Sequence, residues 1–318
     1  MASDPDCPPL PSGSLHARAA PPGSGYRGRF APSPTGPLHA GSLLSAFGSW
    51  LLARSAGGEW LVRIEDVDHG REVAGAAASQ LSALEAFGLR PDAQVVYQSQ
   101  REPLYQRALQ QLLDAGLAFE CHCSRGQLSA VGGIHRRCVA RSDRRDPAIR
   151  FRVADDSAVA FTDRIRGHVQ QRVDREVGDF VIRRADGCWA YQLAVVVDDA
   201  AQGVTDVVRG ADLIGSTARQ ILLQRALGLP TPRYAHLPLL LDAAGRKLSK
   251  SERAHPLDPS TPIPALRSAW RMLGQDLSCL AATGDVEALL EQAVAGFDPN
   301  RIPIQPMRSG PLPLSHKR

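Results

Sequence analysis

The sequence predicts an α/β fold built on a parallel sheet, on three observations. Strand-like runs alternate with apolar runs at helical spacing, a proline-stiffened loop joins the first strand to the first helix, and the alternation breaks once and then resumes. Residues 28–31 read as a buried strand, followed by the turn-rich Pro32-Ser33-Pro34-Thr35-Gly36-Pro37. Over 40–55, Leu43, Leu44, Phe47 and Leu51 recur as on a helix, and Gly57-Gly58 supplies the stop. Residues 59–65 read as a strand, and 71–87 and 102–115 as helices.

The break comes at 121–150, a basic stretch rich in Cys and Gly, with short strands expected over 149–162 and 179–184. The rhythm resumes with a helix at 191–200, a strand at 204–208, a helix at 211–227 and a strand-like run at 234–241. Two tail helices are expected at 263–273 and 286–294, before a loosely ordered proline-rich end. The organisation read from this is an extension (1–25), a first catalytic half (26–120), an insert (121–185), a second half (186–251) and a short helical tail (252–318).

A chain of 318 residues has room for one large domain or two modest ones. With 43% hydrophobic and 22% charged residues it can bury an ordinary globular core. No run reaches the ~18 apolar residues of a membrane helix, so no membrane association is expected. The net charge of +4 permits a nucleic-acid partner without requiring one. Residues 1–25 are Pro-, Ser-, Gly- and Ala-rich with no signal-like apolar core, which predicts a disordered extension and a cytoplasmic location. In that compartment clustered cysteines hold metals more often than they form disulfides.

Two strings carry the chemistry. In the first, running from Arg29 to Ser42, His39 and Gly41 sit where a helix begins. A helix N-terminus offers unpaired N–H groups and partial positive charge, so the junction suits phosphate. His39 can donate to a phosphate oxygen, and Gly41 lets the backbone come close. The second string is Lys247-Leu-Ser-Lys250-Ser251, whose two lysines suit the charge that builds on departing pyrophosphate. Alone, such a string is more often a solvated loop. In order, at opposite ends of an alternating sequence, the two strings point to one nucleotide held between them.

RFAPSPTGPLHAG and KLSKS resemble the signature motifs of class I aminoacyl-tRNA synthetases of the glutamyl and glutaminyl type, and 60–68 and 190–213 extend the likeness across about 27–251. The resemblance implies a Rossmann-type catalytic domain, with ATP and Mg²⁺, in which His39, Gly41, Lys247 and Lys250 bind ATP, and His39 and Lys250 are catalytic. Ser42 stands where many class I members have a second histidine. The amino acid follows from charge: Arg29 and Arg209 can each fork a carboxylate, Glu65 can take an ammonium, and Tyr191 can add a hydroxyl. That set suits L-glutamate, with either arginine open to the side-chain carboxylate. The resemblance places these four in the glutamate pocket with Phe30, Ala31, Pro32 and Ser33. Taken singly, Glu65 has the alternative of pairing with Arg63 or a nearby lysine, and Arg209 that of a surface salt bridge.

Cys121, Cys123, His135 and Cys138 offer three thiolates and an imidazole, the donor set of a closed structural zinc site. His122 is expected to face away. Unrelated thiols or a loop disulfide are the alternatives. The resemblance also implies one structural Zn²⁺ here, with His135 where the family often carries tyrosine. Cys7, Cys188 and Cys279 stand alone.

After Ser251 the sequence runs only to Arg318, shorter than the anticodon-binding region of a tRNA-charging enzyme. This favours resemblance to the short glutamyl-Q tRNA(Asp) synthetases, which implies a monomer that activates glutamate without tRNA and passes it to queuosine in the anticodon loop of tRNA(Asp). Arg136, Arg137, Arg141, Arg144 and Arg145 could hold RNA phosphates or be a solvated loop. The alternatives are a conventional glutamyl- or glutaminyl-tRNA synthetase and a non-catalytic RNA-binding relative.

Overall fold

The computed structural model describes residues 25–241, 245 and 256–308. Nearly all of the expected N-terminal extension, with Cys7, lies outside these residues, as do Lys247 and Lys250.

In chain order, β1 (Arg27–Phe30) leads through the proline loop to α1 (Ala40–Ser55), β2 (Glu59–Ile64), α2 (Ala76–Ala86), β3 (Val96–Tyr97), α3 (Glu102–Asp114) and β4 (Ala118–Cys121). The middle holds α4 (Arg125–Ser129), β5 (Ala148–Phe151), β6 (Ala158–Asp163), β7 (Gly167–Arg172), α5 (Val173–Glu176) and β8 (Phe180–Arg183). Then come α6 (Tyr191–Ala201), β9 (Asp206–Gly210), α7 (Ile214–Leu227), β10 (Arg233–Leu237), β11 (Leu240–Leu241), α8 (Pro262–Met272), α9 (Val286–Gly296) and β12 (Met307–Arg308).

The main sheet has the order β3-β2-β1-β9-β10-β6-β7, parallel except for the β6–β7 edge. Strand order reverses between β1 and β9, so a crevice opens at their carboxyl ends, where such folds bind ligands. Alternating strand residues feed the two faces. Trp60, Val62, Val208 and Ala235 enter one cluster, and Leu61, Val207 and Tyr234 another. Helix α1 is buried nearly all round, from Leu43 to Ala53, as a helix covered on every side must be apolar on every side. Gly48 sits at its closest approach to the sheet and tail: a Cβ there would meet Leu237 Cδ1 at 2.8 Å and Leu273 Cδ2 at 3.3 Å.

Three expectations need correction, and two short strands carry no sequence signal. The helix expected over 71–87 begins only at Ala76, because 71–75 are spent on turns in which Arg71 N–H donates to Asp68 and Val73 N–H to Pro34. The insert is not separate: β6 and β7 extend the main sheet, and only β4, β5 and β8 form their own three-stranded antiparallel sheet. The short strands β3 and β7 were not legible as apolar runs; β7, GHVQQR, is almost wholly exposed or half-exposed. The proline-rich end is packed as far as it is described. Ile302 is buried, and Met307 and Arg308 pair with Leu240 and Leu241.

The tail helices belong to the main core. Trp270 is wholly buried, its indole N–H donates to the Asp276 carbonyl at 2.8 Å, and Leu266 and Leu273 join it against α1. Trp270→Ala is expected to lower unfolding free energy by about 3–5 kcal/mol. Urea denaturation measures this, and a loss near zero would show the tail to be a peripheral addition.

Candidate active site and metal cluster

A cavity of about 700 Å³ opens at the β1/β9 crevice, and Arg29, Phe30, Ala31, Pro32, Ser33, His39, Gly41, Glu65, Tyr191 and Arg209 all line it. Every described residue expected to bind nucleotide or amino acid is therefore in one place. Phe30 contributes least, since its ring stacks on Trp60 in the core. The proline loop is held from behind: the buried Gln80 amide donates to the Ser33 and Gly36 carbonyls, and Glu65 N–H donates to the Pro32 carbonyl. No sequence signal marked Gln80.

His39 is the N-cap of α1. Its Nδ1 accepts from Gly41 N–H at 3.1 Å and Ser42 N–H at 3.2 Å, which puts the ring proton on Nε2. Of the N–H groups that the sequence reading expects to be unpaired at this helix start, two are capped by His39 itself. Pro256 forms a backbone bridge to His39, and both Leu240 and Pro256 line the cavity. The described residues on either side of Lys247–Ser251 thus reach the rim.

The two arginines differ. Arg29 donates from Nε to Asp199 Oδ1 at 3.0 Å, deep in the wall. Asp199 also receives Arg63 at 2.8 Å, and Arg63 reaches Glu65 at 3.3 Å. The alternative pairing of Glu65 with Arg63 is thus realised without removing Glu65 from the cavity. Burial alone would raise the Asp199 carboxyl, but the Arg29 and Arg63 guanidiniums outweigh it and hold the pKa low. For Glu65 burial prevails over the same two cations and the pKa is raised. Sequence reading names Arg63 only as an alternative partner of Glu65, and does not single out Asp199. A signal existed in the two adjacent aspartates inside the apolar run of α6, since buried carboxylates require partners.

Arg209 is buried, and all its partners are neutral: His236 Nε2 at 3.1 Å, Tyr191 hydroxyl at 3.1 Å, Gln220 at 2.8 Å and Thr217 at 2.9 Å. The surface salt bridge is excluded. Among the described residues no carboxylate bonds to it. His236, wholly buried, is held below its ordinary pKa by burial, although Asp163 pulls it the other way.

In the insert, Cys121 Sγ lies 3.4 Å from His135 Nε2, and Cys123 Sγ lies 3.6 Å from Cys138 Sγ. The donor atoms of Cys121, Cys123 and His135 fall within 4.8 Å of one another, a group able to hold a metal ion. Cys138 is exposed and stands beside the trio rather than within it. His135 Nδ1 meets Asp179 Oδ2 at 2.8 Å, which leaves Nε2 facing the sulfurs, the usual carboxylate support of a metal-bound imidazole. Arg150 Nε–H and Val139 N–H donate to Cys121 and Cys123 sulfurs, as they would to thiolates. This donor set fits a metal. His122 accepts from Arg144 N–H instead, away from the group. Cys188 and Cys279 are free. Arg136, Arg137, Arg141, Arg144 and Arg145 are all exposed.

Comparison with known proteins agrees with this geometry. The catalytic-domain profile of class I tRNA synthetases (E and Q) matches residues 26–146 and 134–258. A glutamyl-Q tRNA(Asp) synthetase of Xanthomonas campestris pv. campestris is 61% identical over 278 residues, covering 87% of this chain and 93% of that protein. One from Burkholderia mallei is 51% identical over 286 residues, covering 86% and 96%. The crystal structure of a glutamate-tRNA synthetase from Elizabethkingia anophelis superposes with a TM-score of 0.75 at 27% identity, covering 90% of this chain and 68% of that one. No helix among the described residues is long and apolar enough to cross a membrane.

Two outcomes are expected. A Cβ on Gly178 (φ +67°) would lie 2.2 Å from the His135 carbonyl oxygen, so Gly178→Ala should push His135 off Asp179 and lower the metal content of purified protein, read by elemental analysis. Because the folded pKa of His236 is depressed, its contribution to stability is full above about pH 6.5 and is lost as pH falls through the depressed value. The wild-type Tm should therefore fall more steeply between pH 7.5 and 5 than that of His236→Gln.

Proposed function

Because the chain belongs to the class I glutamyl/glutaminyl tRNA synthetases, and among them to the glutamyl-Q tRNA(Asp) synthetase family of ligases, we propose that it uses ATP to activate L-glutamate without tRNA and then transfers it to queuosine in the anticodon loop of tRNA(Asp). The observation that carries the glutamate assignment is Arg209, a buried guanidinium on the cavity wall whose partners are all neutral. A buried cation of this kind selects an anionic guest. Arg29, by contrast, already has Asp199.

Arg209 takes the side-chain carboxylate, with the Tyr191 hydroxyl beside it. The α-carboxylate must remain free to attack, and a carboxylate clamped by a guanidinium is a poorer nucleophile. Glu65 receives the ammonium, and the charge it meets there offsets the burial that raises its pKa. The segment Phe30–Ser33 shapes the pocket floor. ATP lies along the proline loop against Gly41, with the Nε2–H of His39 offered to phosphate; Mg²⁺ bound with ATP would supply further neutralisation of the phosphate charge. The α-carboxylate attacks the α-phosphorus in line, the bond to the bridging oxygen breaks, and pyrophosphate departs. His39, Lys247 and Lys250 stabilise the charge on it, so catalysis rests on positioning and electrostatics. A hydroxyl of the queuosine ring then attacks the glutamyl carbonyl and AMP leaves.

One Zn²⁺ held by Cys121, Cys123, His135 and Cys138 would cross-link the insert and supply no step of the reaction. The exposed arginines between 136 and 145 suit RNA phosphates. We place the protein in the cytoplasm as a monomer.

ATP–pyrophosphate exchange dependent on glutamate and independent of tRNA tests the activation step. Exchange only with tRNA present would replace this reading with conventional charging, and none at all would leave a non-catalytic relative. Labelled glutamate should pass to tRNA(Asp) containing queuosine and not to tRNA lacking it. Arg209→Gln should cut kcat/KM for glutamate roughly ten- to a hundred-fold, the worth of a charge-assisted hydrogen bond.

A further inference from the structure

We propose that Asp163 and His236 are positioning residues for Arg209: the carboxylate locks the imidazole in one tautomer, and the imidazole fixes the guanidinium that selects the amino acid. The inference rests on the reading of Arg209 as the glutamate clamp.

The tautomer follows from donor arithmetic. An arginine can only donate, and Arg209 Nε lies 3.1 Å from His236 Nε2. Nε2 must therefore be the accepting nitrogen, which leaves the ring proton on Nδ1. Nδ1 lies 2.6 Å from Asp163 Oδ2, a charge-assisted contact that favours that proton. The carboxylate is fixed in turn. Its Oδ1 accepts from the backbone N–H groups of Ile165, Arg166 and His236 at 3.0, 2.9 and 3.2 Å. Both side chains are wholly buried, so water cannot replace either one.

The imidazole also settles which part of Arg209 is left for a ligand. His236 holds Nε–H, Tyr191 and Gln220 take Nη1, and Thr217 takes one hydrogen of Nη2. One Nη2 hydrogen then has no acceptor among the described residues, at a side chain that lines the cavity. Without the Nε anchor only the Tyr191, Gln220 and Thr217 contacts at the guanidinium's far end remain, and the planar group can tilt away from its ligand-facing orientation. A carboxylate in direct contact would neutralise Arg209. The neutral ring instead holds the negative charge of Asp163 one imidazole away, so orientation is obtained while the cation stays available. Asp163 ends β6 and His236 lies in β10, adjacent parallel strands.

The test compares wild type with Asp163→Asn, His236→Leu and His236→Gln. In Asp163→Asn the amide oxygen can keep the backbone N–H groups, which turns the NH₂ toward Nδ1. The ring proton should then move to Nε2, where it opposes the Arg209 N–H. The KM for glutamate in pyrophosphate exchange should rise about ten-fold or more, with the KM for ATP little changed. His236→Leu should give the same split. His236→Gln places an amide oxygen near the lost Nε2 and should recover most of the loss. Nitrogen-15 NMR of the imidazole should show wild-type His236 protonated on Nδ1 and Asp163→Asn protonated on Nε2.

Unchanged glutamate KM in both Asp163→Asn and His236→Leu would overturn the proposal. So would a wild-type ring protonated on Nε2, a measurement that needs no variant to fold. Absence of glutamate-dependent exchange in wild type would sink the glutamate reading alone, because the imidazole signals report the geometry with no substrate present.

Discussion

The shared carboxylate of Asp199 is the contact on which the rest of the site depends. It binds Arg29 of β1 and Arg63 of β2 from its place on α6, so one buried anion ties two adjacent strands to the helix that begins at Tyr191. Without it two guanidiniums would face each other in a space almost closed to water, at a cost of several kcal/mol. Around the cavity Arg29, Arg63 and Arg209 face Glu65 and Asp199, since the neighbouring Asp198 is matched by Arg101. Of these three guanidiniums only Arg209 has no carboxylate partner among the described residues.

The same network explains how Glu65 can be both paired and receptive. Its partner Arg63 is shared with Asp199 and approaches Glu65 only to 3.3 Å, and burial outweighs that attraction. Of the three carboxylates around Arg63, Glu65, Asp198 and Asp199, it is Glu65, with its raised pKa, that lines the cavity.

The amino-acid sequence made the catalytic end legible because its demands are local. A proline loop between strand and helix, a histidine at the cap and a glycine two residues later can be read in a single window, and the cavity gathers them. The Cys and His spacing was equally local, and the structure brings Cys121, Cys123 and His135 together. What stayed hidden was long-range. Gln80 supports Ser33 from forty-seven positions away, and Asp179 supports His135 from forty-four. Neither residue type at those positions differs from an ordinary surface choice until the chain has folded. Strand β7 was missed for a related reason: as an exposed edge it has no buried face to impose an alternating pattern. The helix expected from Arg71 began late because backbone turns compete for the same residues, and nothing in the side chains records that competition.

The continuation of the main sheet through β6 and β7 bears on how such proteins can diversify. A segment that interrupts a regular alternation and carries its own Cys/His group able to hold a metal looks like a cassette that evolution could exchange whole. Here its middle is hydrogen-bonded into the sheet beside β10, and its carboxylate at 163 touches a ring in that strand. Exchanging this piece whole would also replace a side chain bonded to β10, so the insert and the sheet it completes can change only together.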